Sequence, residues 1–225
     1  MNKKNDYIAV FDSGVGGISM NSLAKVSVSR GHSVGGYDRS ESPITRSLEE
    51  LGVEMHYVSK PEIIEGYDVL VYTVAIPDDD PIYVRAGELG IPRISRADFL
   101  GYIMVGYGSR IGVSGMHGKS TTTGIVASVY QAAELDPTVF GGATLGSTGS
   151  SNILGSSRAF IFEACEYMDS FLDFNPSIAV LLNVEMEHVD YFKSMEQIRA
   201  SFGKYAALTG ESGFAVANCD DPEVM

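Results

Sequence analysis

The sequence has few cysteines, little positive charge and no long apolar run. Two cysteines, Cys165 and Cys219, occur among the 225 residues, and neither belongs to a CxxC pair. This number is too small for a disulfide framework, and the missing CxxC pair argues against a zinc site. No apolar run approaches the roughly 20 residues of a membrane helix. We therefore expect no membrane contact, no signal peptide and a cytoplasmic location.

Positive charge is scarce relative to negative charge. Lysine and arginine total 16 against 29 aspartate and glutamate residues, which gives a formal net charge of −13. Proteins that bind nucleic acid neutralise phosphates with clustered lysine and arginine, so we expect no nucleic-acid partner. Small phosphate ligands remain compatible with this charge, because a few backbone N–H groups and one lysine hold a phosphate locally.

Strand and helix patterns alternate along the chain, which predicts an α/β fold with parallel sheets covered by helices. We predict a Rossmann-like domain over residues 1–106 and a P-loop ATPase-type α/β domain over 107–225, joined by a glycine-rich linker at 105–109. The second domain is expected to be truncated, because another helix would be expected after Met225. The segment 141–158 is rich in glycine and serine, and we predict that it forms a loop. Parallel strands place ligands at their carboxyl ends.

The strongest chemical signal is a glycine-rich turn between a predicted strand (110–113) and a predicted helix (119–135). The residues predicted to contact a nucleotide here are Gly115, Met116, His117, Gly118, Lys119, Ser120 and Thr121. Glycines let backbone N–H groups converge on phosphate oxygens, and the helix N-terminus adds positive potential. Lys119 supplies a charge for the β and γ phosphates, and the hydroxyl of Ser120 is a ligand for Mg²⁺. The strict phosphate-loop pattern has glycine where Val113 stands, and the alternative is a plain strand-to-helix turn.

Two polar clusters follow later predicted strands, at 159–162 and 178–182. The first begins with Glu163, and the second runs from Asn183 to Asp190 and contains His188. Both clusters should lie at the same sheet edge as the glycine-rich turn. Glu163 is placed to bind Mg²⁺, which prefers oxygen ligands. His188 would bind a second cation or orient the γ-phosphate, and the alternative is a surface or capping histidine.

Three of these segments together resemble the ATP-binding motifs of the Mur ligases. They run from Gly115 to Thr122, from Glu163 to Tyr167 and from Asn183 to Phe192. In the first half of the chain, four segments resemble the UDP-sugar-binding landmarks of that family: 14–20, 34–38, 73–76 and 91–98. The resemblance spans essentially the whole chain. It is strongest to the members that add L-alanine, in the form found in Gram-positive bacteria.

The resemblance implies an ATP-dependent ligase of peptidoglycan precursor synthesis, with ATP and Mg²⁺ as cofactors. UDP-N-acetylmuramate and L-alanine would be its small-molecule substrates, joined through an acyl phosphate. Lys119, Glu163 and His188 would be catalytic, Ser120, Glu163 and His188 would bind metal, and Asn183 would contact the nucleotide. Substrate contacts are implied for Gly14, Gly16, Gly17, Asp38, Thr73 and Ala75.

The sequence departs from the family pattern in two ways. Family members carry a third, C-terminal domain that the 225 residues do not contain, so we expect little complete ligase turnover from them. The first glycine loop also carries Asp12, whose carboxylate would repel the pyrophosphate of a UDP-sugar. Two alternatives stay open: a non-catalytic module that binds a nucleotide or UDP-sugar, and a relative that adds a whole peptide. The sequence does not indicate an oligomeric state.

Overall fold

A computed structural model of the protein describes residues 7–11, 17–73, 76–145 and 150–225. Contacts divide the chain into two compact units, Met1–Phe99 and Leu100–Met225. The first unit alternates strands with helices and contains one 3₁₀ turn, at Pro61–Ile64. Its elements are β1 (Tyr7–Phe11), α1 (Gly17–Ser29), β2 (Ser33–Tyr37), α2 (Pro43–Glu49), β3 (Glu54–His56), β4 (Val69–Tyr72), α3 (Pro81–Glu88) and β5 (Arg93–Ser95).

The strands of the first unit form one sheet in the order β3-β2-β1-β4-β5. Each neighbouring pair in this order is parallel. The order changes direction at β1, which lies between β2 and β4. Such a point in a parallel sheet opens a crevice at the carboxyl ends of the strands, where ligands of α/β proteins bind.

Local signals in the sequence set the starts of two helices in this unit. The Ser42 hydroxyl accepts a hydrogen bond from the amide of Thr45, and the Thr45 hydroxyl accepts one from the amide of Ser42. This reciprocal pair is a capping box that begins α2. Asp80 accepts hydrogen bonds from the amides of Ile82 and Tyr83 and so begins α3. The acidic residues 78–80 therefore lead directly into the start of a helix.

The helix α4 (Arg96–Val105) contains the division between the two units. The boundary predicted at 106/107 lies after this helix and stays a prediction. The second unit contains a 3₁₀ segment, Tyr167–Asp173, and its own strands and helices. They are β6 (Ser109–Ser114), α5 (Lys119–Ala132), β7 (Thr138–Leu145), β8 (Ser150–Ile153), β9 (Ala159–Glu163), β10 (Ile178–Leu181), α6 (Met195–Ala207) and β11 (Phe214–Ala217).

The second sheet has the order β11-β10-β6-β9-β7-β8 and is parallel except at one edge. There β7 and β8 pair in antiparallel fashion. The prediction of a loop over 141–158 is therefore wrong, because β7 extends to Leu145 and β8 occupies 150–153. Glycine and serine disfavour strands only weakly, and pairing overrides that preference. On its other side β7 pairs with β9, where Val139 faces Ile161 and Phe140 faces Phe162.

Aromatic side chains of the second unit pack closely against β6. A side chain at Gly112 of this strand would clash, since a Cβ there would lie 2.0 Å from Tyr205 Oη and 2.6 Å from Phe162. Tyr205 in turn stacks on Phe171, with ring centroids 4.6 Å apart. Burial raises the pKa of Tyr205. These contacts hold α6 and the 3₁₀ segment against the sheet. The parallel strand pairing in the two sheets confirms the predicted α/β fold.

Within the described ranges, no helix combines the length and the apolar character needed to cross a bilayer.

Candidate phosphate-binding site

The predicted site segments meet at one edge of the second sheet. The strand β6 lies between β9 and β10 and is parallel to both, with Val113 facing Glu163 and Ser114 facing Leu181. The segments that follow these three strands therefore leave the sheet side by side. This confirms the expectation that the glycine-rich turn, Glu163 and the polar run from Asn183 lie at the same edge.

The glycine-rich turn has backbone angles that only glycine adopts without strain. Gly115 has φ +144° and Gly118 has φ +83°. A Cβ at Gly115 would also lie 2.9 Å from the Cβ of Leu182. Val113, which replaces the first glycine of the strict pattern, is buried inside β6. The turn begins after this valine, so the substitution leaves the geometry at Gly115 and Gly118 possible.

Asn183, which follows β10, makes three hydrogen bonds to the glycine-rich turn, and we call these bonds the Asn183 clamp. Its Oδ1 accepts a hydrogen bond from the amide of His117 at 2.8 Å, and its Nδ2 donates to the carbonyl of His117 at 2.9 Å. Its own carbonyl accepts from the amide of Met116 at 3.3 Å. The side chain therefore shapes the turn, while the predicted contact between Asn183 and a nucleotide stays a prediction.

The helix α5 begins directly at the end of this turn. Its N-cap is Gly118, and no side chain caps it. The first backbone N–H groups of a helix have no partner within the helix, and together they favour an anion. Ser120 lies in this first turn and donates a hydrogen bond to Glu163 Oε2 at 3.1 Å. A hydroxyl and a carboxylate thus lie together beside a site suited to phosphate.

Behind the turn lies a buried carboxylate with two basic partners. Glu166 is fully buried, and both its oxygens accept from Lys119 Nζ, at 3.1 and 3.0 Å. Lys119 Nζ also donates to the carbonyls of Gly115 at 2.6 Å and Met116 at 3.2 Å. The Nε2 atom of His188 lies 3.0 Å from Glu166 Oε1. A buried charge is costly unless paired, so Lys119, Glu166 and His188 form a mutually dependent group.

Sequence reasoning missed the role of Glu166. The residue lies three positions after Glu163 in the same segment, so a second carboxylate was visible in the sequence. Its pairing with Lys119 and His188 depends on the order of the strands. The predicted roles of Glu163 and His188 as metal ligands stay predictions, as do nucleotide contacts of Met116, His117 and Thr121. Met116 is buried, whereas His117 and Thr121 are exposed.

Ser120 and Glu163 are the nearest candidate ligands for Mg²⁺ beside the glycine-rich turn. No group of three or more histidine, cysteine, aspartate or glutamate side chains within the described part of the chain could hold a metal ion. Ser120 and Glu163 together offer one hydroxyl and one carboxylate. Mg²⁺ is usually bound by one or two carboxylates together with phosphate oxygens and water. The pair therefore fits a magnesium ion that arrives with a nucleotide.

The predicted substrate contacts in the first unit lie partly within the described residues. Asp38 follows β2 and lines a cavity of about 50 Å³ together with Asn21 and Ser42. Thr73 follows β4, and its buried hydroxyl has no hydrogen-bond partner among the described residues. Gly17 is the first residue of α1. These three substrate contacts stay predictions.

Other positions of that prediction lie outside the described residues. They are Gly14, Gly16 and Ala75. Asp12, which is predicted to repel the pyrophosphate, also lies outside the described residues.

The fold and the site define a class of protein. A parallel sheet, a glycine-rich turn with a lysine at a helix start, and a serine–carboxylate pair together make an α/β protein of the phosphate-loop type. Two family models narrow this class. The model described as "Mur ligase family, catalytic domain" matches residues 13–107, and the "Mur ligase middle domain" model matches residues 113–225. The chain belongs to the Mur ligase family.

Curated relatives carry the name UDP-N-acetylmuramate–L-alanine ligase. The protein of Caldicellulosiruptor saccharolyticus is 45% identical over 211 residues, which cover 94% of this chain and 46% of the relative. That of Clostridium perfringens is 39% identical over 225 residues, which cover 100% of this chain and 48% of the relative. The chain therefore spans about half the length of the curated relatives it matches.

Solved structures show the same architecture. One is UDP-N-acetylmuramate:L-alanyl-γ-D-glutamyl-meso-diaminopimelate ligase from Neisseria meningitides, 27% identical, with a TM-score of 0.83 over 97% of this chain and 72% of that chain. Another is UDP-N-acetylmuramate–alanine ligase from Thermotoga maritima, 26% identical, with a TM-score of 0.76 over 95% of this chain and 53% of that chain.

The clamp formed by Asn183 yields a direct prediction. Replacing Asn183 with alanine removes both side-chain hydrogen bonds to His117, so the amide of His117 should exchange with solvent about tenfold faster. Hydrogen exchange followed by NMR measures this rate. Asn218→Ala is the matched control. Asn218 follows β11, and its Nδ2 donates a hydrogen bond to the carbonyl of Leu182, which lies outside the turn. Equal exchange rates in the two variants would contradict the clamp.

Proposed function

We propose that this chain serves the ATP-dependent ligation of L-alanine to UDP-N-acetylmuramate in peptidoglycan precursor synthesis. The observation that carries the proposal is the meeting of the glycine-rich turn, the Ser120–Glu163 pair and the buried Glu166 at one sheet edge. The relatives at 39–45% identity, named for that reaction, support it. Small-molecule substrates also suit a chain of net charge −13 with a local phosphate site.

Lys119 would hold the β and γ phosphates of ATP. Its ammonium group now contacts Glu166 and two carbonyls of the turn. A phosphate above the turn would offer a more highly charged partner, and the amides at the start of α5 would bind the same anion. Glu166 would then keep its contact with the Nε2 atom of His188.

Ser120 and Glu163 would hold Mg²⁺, and His188 would serve a second cation. When bound, the metal would screen the negative charge of the phosphates as a carboxylate approaches. The contact between the Ser120 hydroxyl and Glu163 shows that these two donors already lie within reach of each other. His188 contacts Glu166 through Nε2, so a role toward a second cation would require the imidazole to contact both Glu166 and that cation.

The chemistry of the ligation explains why such a site is needed. A free carboxylate is a poor electrophile, and transfer of the γ-phosphoryl group converts it to an acyl phosphate with release of ADP. The amine of L-alanine then attacks the acyl carbon, the amide bond forms, and inorganic phosphate leaves with the bonding electron pair. The chain's part in the first step is to hold the phosphates, by Lys119 and the turn amides, and to stabilise their charge.

The first unit would bind the UDP-sugar at the carboxyl ends of its strands. Asp38 lines the small cavity beside β2, and the buried hydroxyl of Thr73 lies after β4 without a partner among the described residues. Gly17, together with Gly14, Gly16 and Ala75, would complete the contacts. The effect of Asp12 on this binding and the cytoplasmic location both stay predictions.

A ligase that adds a whole peptide is the second candidate. The observation that favours it is the structural similarity to the peptide-adding ligase of Neisseria, with a TM-score of 0.83 against 0.76 for the alanine ligase of Thermotoga. Sequence identity to these two structures is nearly equal, at 27% and 26%. The 39–45% identity to curated alanine ligases is much higher, and for that reason we propose L-alanine.

The proposed role of Lys119 predicts a loss of nucleotide affinity on its removal. Lys119→Ala should weaken Mg-ATP binding about 10- to 100-fold, because a charge-assisted contact to phosphate is lost. Isothermal titration of the purified chain measures the dissociation constant. Lys204→Ala is the control, since Lys204 is an exposed lysine on α6. The proposal would be contradicted if the wild-type protein did not bind Mg-ATP. It would also be contradicted if Lys119→Ala and Lys204→Ala bound Mg-ATP with equal affinity.

The complete reaction gives a second test. Since the chain spans about half the length of the curated relatives, we predict that these 225 residues release ADP from ATP, UDP-N-acetylmuramate and L-alanine only at background rates. A coupled assay of ADP release measures this rate. Release that depends on L-alanine and disappears in Lys119→Ala would overturn the expectation of low turnover, and it would support the ligase assignment directly.

A further inference from the structure

Two tyrosine–aspartate hydrogen bonds join the segment after β9 to the segment after β10. Tyr167 Oη donates to Asp190 Oδ2 at 2.6 Å. Tyr191 Oη donates to Asp169 Oδ2 at 2.8 Å. Each segment thus supplies one tyrosine and one aspartate, and the two bonds run in opposite directions. We call these four residues the tyrosine–aspartate latch.

The sheet topology gives the latch a mechanical role. The strands β9 and β10 each pair with β6 and not with each other, so Glu166 and His188 approach the turn from opposite sides of β6. A strand ladder therefore does not fix the separation of these two residues. Side-chain bonds between the two segments supply that constraint, and the latch provides two of them.

Further contacts anchor the latch to the fold. Asp169 Oδ1 accepts a hydrogen bond from the hydroxyl of Ser201 on α6. The ring of Tyr167 packs on that of His188, with centroids 4.8 Å apart. The latch is thus in contact with His188 itself and with a helix packed on the core.

The backbone around the latch is held in an unusual conformation. Met168, Asp169 and His188 have φ values of +55°, +57° and +51°, in the left-handed region that favours glycine. Three such residues in two facing segments persist only where the surrounding structure enforces them, and strain of this kind is concentrated at functional sites. Asp169 is itself a latch residue, and His188 is the partner of Glu166.

We propose that Tyr167, Asp169, Asp190 and Tyr191 are positioning residues that hold Glu166 and His188 at a fixed separation and thereby place Lys119 for a phosphate ligand. The effect on the ligand rests on the proposed function, whereas the effect on His188 does not. Tyr191 and Asp169 are partly buried, while the bond between Tyr167 and Asp190 is exposed. The Tyr191–Asp169 bond therefore carries most of the constraint.

The test uses variants that remove only a hydroxyl group. Tyr191→Phe and Tyr167→Phe each delete one bond of the latch and keep the ring, and the double variant deletes both. Tyr57→Phe is the matched control, because the hydroxyl of Tyr57 donates to a carboxylate oxygen of Glu49 at 3.0 Å in the first unit. Circular dichroism checks that each variant remains folded.

The first readout needs no ligand. Imidazole resonances of His188, assigned by their loss in His188→Gln, report its contact with Glu166 at fixed pH. We expect them to shift in Tyr191→Phe, to shift further in the double variant, and to stay unchanged in Tyr57→Phe. Asp169→Asn, which keeps an oxygen acceptor, should perturb them less than Asp169→Ala.

The second readout is the affinity for Mg-ATP. We expect the dissociation constant to rise about threefold to tenfold in Tyr191→Phe and less in Tyr167→Phe. Both bonds join the same two segments. The dissociation constant of the double variant should therefore rise by more than the product of the two single-variant fold changes.

The two readouts separate the latch from the proposed function. A double variant whose His188 resonances and Mg-ATP affinity match those of Tyr57→Phe would overturn the proposal. Wild-type protein that fails to bind Mg-ATP would refute the proposed function, and the His188 resonances would still decide whether the latch positions that residue.

Discussion

The buried charge of Glu166 is the constraint on which the rest of the site depends. A carboxylate without solvent contact requires charged or hydrogen-bonding partners, and removing the partner from a buried ion pair costs about 3–5 kcal/mol. Here Lys119 comes from the start of α5 and His188 from the segment after β10. One charge therefore ties together the segments that follow β6, β9 and β10. It also holds the lysine of the turn beside the place where a phosphate would bind.

Much of the fold could be predicted from the sequence, because short apolar runs indicate strands and glycines mark the ends of helices. The meeting of the turn with Glu163 and Asn183 also followed from the rule that parallel strands end at one edge. The hairpin of β7 and β8 could not be predicted from composition, since pairing with β9 outweighs the weak preferences of glycine and serine. The role of Glu166 likewise depends on distances across three strands, which no local pattern contains.

Family membership and local geometry give different information about this chain. The family models show the family to which the chain belongs, and the curated relatives, of which it spans about half the length, are named for the ligation of L-alanine to UDP-N-acetylmuramate. The geometry indicates a separate role for each residue. Asn183 shapes the turn, and Ser120 and Glu163 form a hydrogen-bonded pair. Glu166 holds the ammonium group of Lys119. The tyrosine–aspartate latch lies outside this group. It joins the segments after β9 and β10, two strands that do not pair with each other.

A crystal structure of the chain with Mg²⁺ and a non-hydrolysable ATP analogue would show directly whether Lys119 exchanges Glu166 for a phosphate. We expect the β and γ phosphates to lie on the amides of residues 115–121. Lys119 Nζ should have left Glu166 for a phosphate oxygen, while His188 keeps its contact with the carboxylate. A nucleotide bound elsewhere, or a Lys119 that remains on Glu166 with the nucleotide in place, would contradict the account.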